Sequence, residues 1–141
     1  ISRRVSQIFL ENAFNNRDLI FKGDLNEKLD FTYISDVCQG LILAGYHTNA
    51  YRQLFNITYG NARPVLKLAE ILREYNPDLN LIVQPRDQAT PLRGTLSNEK
   101  AKKLIGFKPK WDLETGYRKY IDWYLNKKDV LQFNNLPQVN E

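Results

Sequence analysis

Segments with helical apolar spacing alternate with short β-branched and aromatic runs over residues 2–124, which restricts the chain to a layered α/β or α+β structure. Val5, Ile8, Phe9 and Ala13 predict an amphipathic helix over 2–15. Leu19-Ile20-Phe21-Lys22 reads as a short strand ended by Gly23-Asp24. Leu29 to Ile34 reads as a second, with Phe31 and Tyr33 on one face and Asp30 and Thr32 on the other. Ser35 or Asp36 is the expected cap of a helix to about Tyr46, with Val37, Leu41, Ala44 and Gly45 as its apolar stripe. A strand over 54–58 and a turn at Gly60-Asn61 follow.

Pro64 suits the first turn of a helix running through Tyr75, where its missing N–H would have no partner anyway. Val65, Leu68, Ala69 and Leu72 form the inner side of that helix, and Asn76-Pro77-Asp78 stops it before a strand over 79–83. Next comes a short helix over 98–105, with Gly106 and Pro109 as stop signals. Asp112 caps the last helix, whose inner face is Leu113, Gly116, Tyr117, Tyr120, Ile121 and Tyr124. Residues 129–141 show no period and read as a poorly ordered tail, so the domain is expected over 1–128.

A length of 141 residues is that of one domain, and 43% hydrophobic content with 12% aromatics supplies a core. No apolar run approaches the roughly 18 residues of a membrane span, and no apolar stretch follows the first charges as a signal peptide requires. Cys38 stands alone, which excludes an internal disulfide and fits a reducing, cytoplasmic setting. With His47 as the one histidine, no Cys/His zinc cluster can form. The chain begins at Ile1 and contains no Met, so it reads as a piece of something longer.

The net charge of +4 is unevenly spread. Basic and acidic residues cancel over 1–99, whereas 100–128 carries Lys100, Lys102, Lys103, Lys108, Lys110, Arg118, Lys119, Lys127 and Lys128 against three acids. Such a cluster suits either a solvated helix face or a nucleic-acid surface. No RNA- or DNA-binding signature accompanies it, so the small basic nucleic-acid module is the alternative reading.

Catalytic constellations are scarce. His47 sits at a helix end and reads as a surface residue. No Gly-x-Gly-x-x-Gly or Walker loop occurs. Tyr124 and Lys128 have the Tyr-x-x-x-Lys spacing that places a phenol beside an ammonium, yet Tyr124 falls on the core stripe, so the match reads as coincidence. Arg86 and Arg93 bracket an irregular segment rich in turn formers, where a guanidinium fork suits phosphate.

Several motifs carry a family resemblance. Residues 23–40 read GDLNEKLDFTYISDVCQG, Phe55-Asn56-Ile57-Thr58-Tyr59-Gly60 follows, and then Asn98-Glu99-Lys100-Ala101 through Leu104-Ile105-Gly106-Phe107-Lys108-Pro109. Leu113-Glu114-Thr115-Gly116 and Trp123-Tyr124 complete the series. In this order the motifs resemble "G-D-G…D-F-x-Y-I-x-D-V…G", "Y-N-x-G-x-G", "D-x-x-K-A-x-x-x-L-G-W/Y-x-P" and "L-E-E-G…W-Y". That set belongs to the extended short-chain dehydrogenase/reductases acting on nucleotide sugars, among them UDP-galactose 4-epimerase and dTDP-glucose 4,6-dehydratase. Each motif alone is weak, whereas their order and spacing are specific and extend to about Leu125.

The resemblance implies an α/β fold corresponding to the family's C-terminal substrate-binding part. That part is a small mixed α+β domain plus elements that complete a Rossmann sheet. The resemblance further implies that the Rossmann half, with its glycine-rich loop and catalytic Tyr-x-x-x-Lys, is missing. The fragment alone is therefore expected to bind no NAD or NADP and to be inert, while its parent uses NAD(P) in an epimerase or dehydratase reaction of polysaccharide biosynthesis. A nucleotide-sugar 4-keto reductase is the alternative within the family.

Carried over by position, Ile20, Phe21 and Lys22 are expected along the nucleotide base, and Arg86 and Arg93 on the diphosphate. Asn61 matches a position that reaches the phosphates in dehydratase-like members. The family arginine before "D-F" is Leu29 here, and the adjacent Lys28 is the candidate substitute. The expected partners are a nucleoside diphosphate-sugar and the missing Rossmann half, with no membrane and no specific nucleic acid. Without that half, the apolar Val37, Cys38, Leu41, Ile42 and Ala44 predict self-association through 35–58.

Overall fold

The computed structural model describes residues 4–86, 91 and 93–131. Its elements are α1 (Val5–Phe14), β1 (Leu19–Lys22), β2 (Lys28–Leu29), α2 (Ile34–Tyr46), a single 3-10 turn (Thr48–Ala50), β3 (Arg63–Pro64), α3 (Leu66–Arg73), β4 (Leu81–Gln84), α4 (Glu99–Ile105) and α5 (Leu113–Leu131). β1 and β4 pair in parallel with Leu19 opposite Leu81 and Lys22 opposite Gln84, and β2 and β3 form a two-residue antiparallel bridge. Helices α1, α3 and α5 pack beside the parallel pair. They bury Phe9, Leu10, Leu19, Leu68, Leu72 and Ile121 in one core. A smaller core of Ala50, Ala101, Ile105 and Phe107 sits under α4.

Stop and cap signals act where the sequence places them. Gly106 adopts φ 67° past the end of α4, and Asp112 Oδ1 accepts from Thr115 N at 2.8 Å at the start of α5. Helix α5 continues through Leu131, so residues 129–131 are helical rather than tail; residues 132–141 lie outside the described residues.

Several expectations fail, and in the two expected strands a side chain takes over a backbone role. The strand expected over 29–34 shrinks to β2, and Ile34 is already helical. Between them Asp30 and Thr32 take bonds from the facing loop: Gly60 N donates to Asp30 Oδ1 at 3.2 Å and Tyr59 N to Thr32 Oγ1 at 3.1 Å. The strand expected over 54–58 joins no ladder. The carbonyls of Thr58 and Tyr59 accept instead from the buried Asn98 Nδ2, at 2.8 and 3.0 Å.

Pro64 lies in β3 opposite Lys28, not in a helical turn, and α3 starts at Leu66 and ends at Arg73. Neither Ser35 nor Asp36 caps α2. Tyr33 holds that place, and Asp36 is buried, with Oδ2 accepting from Lys110 N and Trp111 N at 3.0 Å each. Consequently α2 turns Asp36, Gly40 and Leu43 inward, at i, i+4 and i+7. Leu41, expected inside, is 61% exposed.

Candidate functional site

An open groove of roughly 860 Å³ runs between the start of α1, β1, residues 29–32 and the arm at 93–96. Local structure explains its walls. The amphipathic α1 turns Phe9 into the core and leaves Ile8 on the groove side, while the alternation of β1 buries Leu19 and puts Ile20 and Lys22 outward. The 93–98 arm is irregular yet held along its length. Ala62 N donates to Thr95 Oγ1 at 3.1 Å, Leu96 N to Asp30 Oδ2 at 3.3 Å, and Asn56 Nδ2 to Ser97 O at 3.0 Å. At its base, Gly60 has φ 81°, and a Cβ there would lie 2.8 Å from Asn98 Nδ2. Glycine is therefore required at that turn.

Three cations, Arg4, Lys22 and Arg93, line the groove, and among the described residues they form no ion pair. The two carboxylates beside them are engaged: Glu27 pairs with Arg86 and accepts from Asp24 N at 3.0 Å, and Asp30 accepts the two amides named above. The unspent charge is positive, so the groove suits an anion whose remainder rests on the apolar Ile8, Ile20 and Leu96.

Four of the seven residues expected from the sequence, Ile20, Phe21, Lys22 and Arg93, meet in this groove. Arg86 stands behind it, half-buried against Glu27. Lys28 is exposed on β2, and Asn61 is exposed in the loop before β3; neither lines the groove. Sequence reasoning missed Arg4 and Asp30. Arg4 shares a helical face with Ile8, four residues on, but nothing in the sequence says that this face is turned to the groove.

A second cavity, about 410 Å³, lies between residues 31–34 and α5 and is almost wholly apolar, with Tyr33, Ile34, Leu113, Tyr117 and Trp123 in its walls. His47 is exposed and its Nδ1 accepts from Asn49 N at 3.2 Å, a turn cap rather than a general base. Tyr124 packs on Phe14, and burial pushes its phenol above the ordinary value, the opposite of what an acid/base tyrosine needs. Among the described residues no cluster of three or more His, Cys, Asp or Glu could hold a metal, and no helix is long and apolar enough to cross a membrane. In the basic segment, Lys119 lies over the Trp111 ring at 4.4 Å and Lys100 over Phe55 at 5.5 Å. These two rings are covered by the chain's own lysines, which leaves them poorly placed to stack on bases.

No protein-family model matches the chain. It is 32% identical over 126 residues to an uncharacterized protein of Methanocaldococcus jannaschii, spanning 87% of this chain and 38% of that one. To UDP-glucuronate 4-epimerase 4 of Arabidopsis thaliana it is 32% identical over 113 residues, 69% of this chain and 25% of the relative. The UDP-glucose 4-epimerase of Thermotoga maritima, solved with UDP-glucose, superposes with a TM-score of 0.80 at 25% identity, over 89% of this chain and 40% of that one. The chain has the sequence and fold of the C-terminal part of an extended short-chain dehydrogenase/reductase. Within these dehydrogenase/reductases its relatives are sugar-nucleotide epimerases and decarboxylases, and it spans less than half the length of each protein compared above.

Proposed function

We propose that the chain is the nucleoside diphosphate-sugar-binding part of an NAD(P)-dependent sugar-nucleotide epimerase or dehydratase. One observation carries the reading: three cations with no ion-pair partner among the described residues converge on one groove beside an apolar strand. Arg4, Lys22 and Arg93 face the diphosphate, and the base lies along Ile20, Phe21 and Lys22. Arg86 supports the site from behind by neutralising Glu27. Lys28 and Asn61 lie outside the groove lining and carry no part of the proposal.

The seven glycines of the sequence stand apart from one another, and none forms the clustered turn that holds a pyrophosphate at a helix start. The residues present do not fit a dinucleotide, so the chain by itself binds no NAD(P) and turns over no sugar. Whether the parent epimerises, dehydrates or reduces is a property of its other half. That half also covers the apolar side of α2 in a cytoplasmic parent enzyme, and without it the chain self-associates.

Calorimetric titration with UDP tests the reading. The wild-type chain binds, and Arg93→Ala or Arg4→Ala weakens binding by about 1.5–3 kcal/mol, the worth of a hydrogen bond to a charged group. Unchanged affinity in both variants would place the diphosphate elsewhere.

A further inference from the structure

Asp30 is out of place by charge. It lines a groove with Arg4, Lys22 and Arg93, where the other carboxylate, Glu27, is paired with Arg86, and a free carboxylate there would repel any anion. Its two oxygens are both spent on main chain. Oδ1 accepts from Gly60 N at 3.2 Å and Oδ2 from Leu96 N at 3.3 Å. Gly60 belongs to the loop on which the arm rests, and Leu96 lies three residues beyond Arg93 on the arm itself. Among the described residues the remaining ties, at Thr95, Ser97 and Asn98, run to residues 56–62. Asp30 is the one groove-lining side chain among these ties, and it grips both the loop and the arm.

We propose that Asp30 is a positioning residue that sets anion affinity by holding the Arg93–Leu96 arm against the groove. The inference rests on the groove being the diphosphate site. A carboxylate serves two N–H donors at once, whereas an amide side chain offers a single acceptor oxygen. Released at Leu96, the arm must be ordered when the ligand arrives, and Arg93 loses its preorganisation.

The sign of the effect separates this role from simple charge. If Asp30 acted only through its charge, Asp30→Asn would tighten the binding of an anion. If it positions Arg93, the same change weakens binding. We expect Asp30→Asn to weaken magnesium-free UDP binding to the full chain by about tenfold, the loss of one charge-assisted bond. Asp30→Glu keeps charge and both acceptors on a longer stem, and is expected between the two. In an Arg93→Ala background neither change weakens binding further, because the group being positioned is gone. Amide exchange at Leu96 accelerates in Asp30→Asn, while that of Phe9 and Leu68 in the core does not.

Equal or tighter UDP binding by Asp30→Asn with Arg93 present overturns the proposal, and so does a loss of the same size in the Arg93→Ala background. Should Asp30→Asn fail to fold, Asp30→Glu decides alone. A loss that vanishes with Arg93→Ala supports the proposal, and unchanged affinity overturns it. A wild-type chain that binds no UDP removes the groove reading and this inference together. Wild-type binding with indifferent Asp30 variants removes only the inference.

Discussion

Asp36 and Asp112 show how one residue type does two jobs in one short stretch of structure. Asp36 is buried and spends a carboxylate oxygen on the amides of Lys110 and Trp111, tying α2 to the loop that leads into α5. Asp112 is a helix cap, and its bonds to Thr115 hold its carboxyl below the ordinary 3.8. A depressed folded value means the cap's contribution is complete above the unfolded range. It drains away as pH falls through the lower folded value. Replacing Asp112 by Ala is therefore expected to cost about 0.5–2 kcal/mol at neutral pH. The gap to wild type should close in acid. Urea melts at pH 7 and pH 2.5 check this, and a gap that persists unchanged at pH 2.5 contradicts it.

At the scale of elements, the crossing of α2 by residues 54–58 determines how the small core is built. A Cβ on Gly40 would sit 2.3 Å from Ile57 Cγ2, so the loop lies directly on the helix backbone. Gly40→Ala is expected to destabilise by about 1–3 kcal/mol through overpacking, despite the better helix propensity of alanine. Shortening the opposing side chain with Ile57→Ala should recover part of that loss, since the two residues share one contact. Denaturant midpoints of the single and double variants measure the coupling. Additive losses would mean that the loop has room to move away.

For the whole molecule, the outer side of α2 is the feature that stands out. Ile34, Leu41 and Ile42 are each at least 60% exposed, and Tyr46 at the end of α2 and Tyr51 and Leu54 beyond it are exposed too. Each aliphatic side chain left in water forgoes about 1.5–3 kcal/mol of burial. The isolated chain is expected to associate, and Leu41→Lys with Ile42→Lys to disperse it. Sedimentation velocity across a dilution series reads the outcome. A monomeric wild type that binds no hydrophobic dye would mean this surface needs no cover.

The sequence by itself determined the order of the five helices, the parallel-paired strands near 19–22 and 79–84, the stop signal after α4 and the cap before α5, and the basic arm residue Arg93. These are local matters: periodicity, αL glycine and a capping carboxylate act within a few residues of themselves. It also carried the family motifs. Only the tertiary structure decided which face of α2 is inside, because its apolar residues cover more than one stripe and the buried Asp36 meets the Lys110 amide 74 residues away. The same holds for 30–33 and 54–58, whose β-like composition is overruled by side chains of Asp30, Thr32 and Asn98 that capture the backbone first. Arg4 became a groove residue, and Arg86 the partner of Glu27, because chain folding brings α1, β1 and the 93–96 arm together. No spacing along the sequence records that meeting.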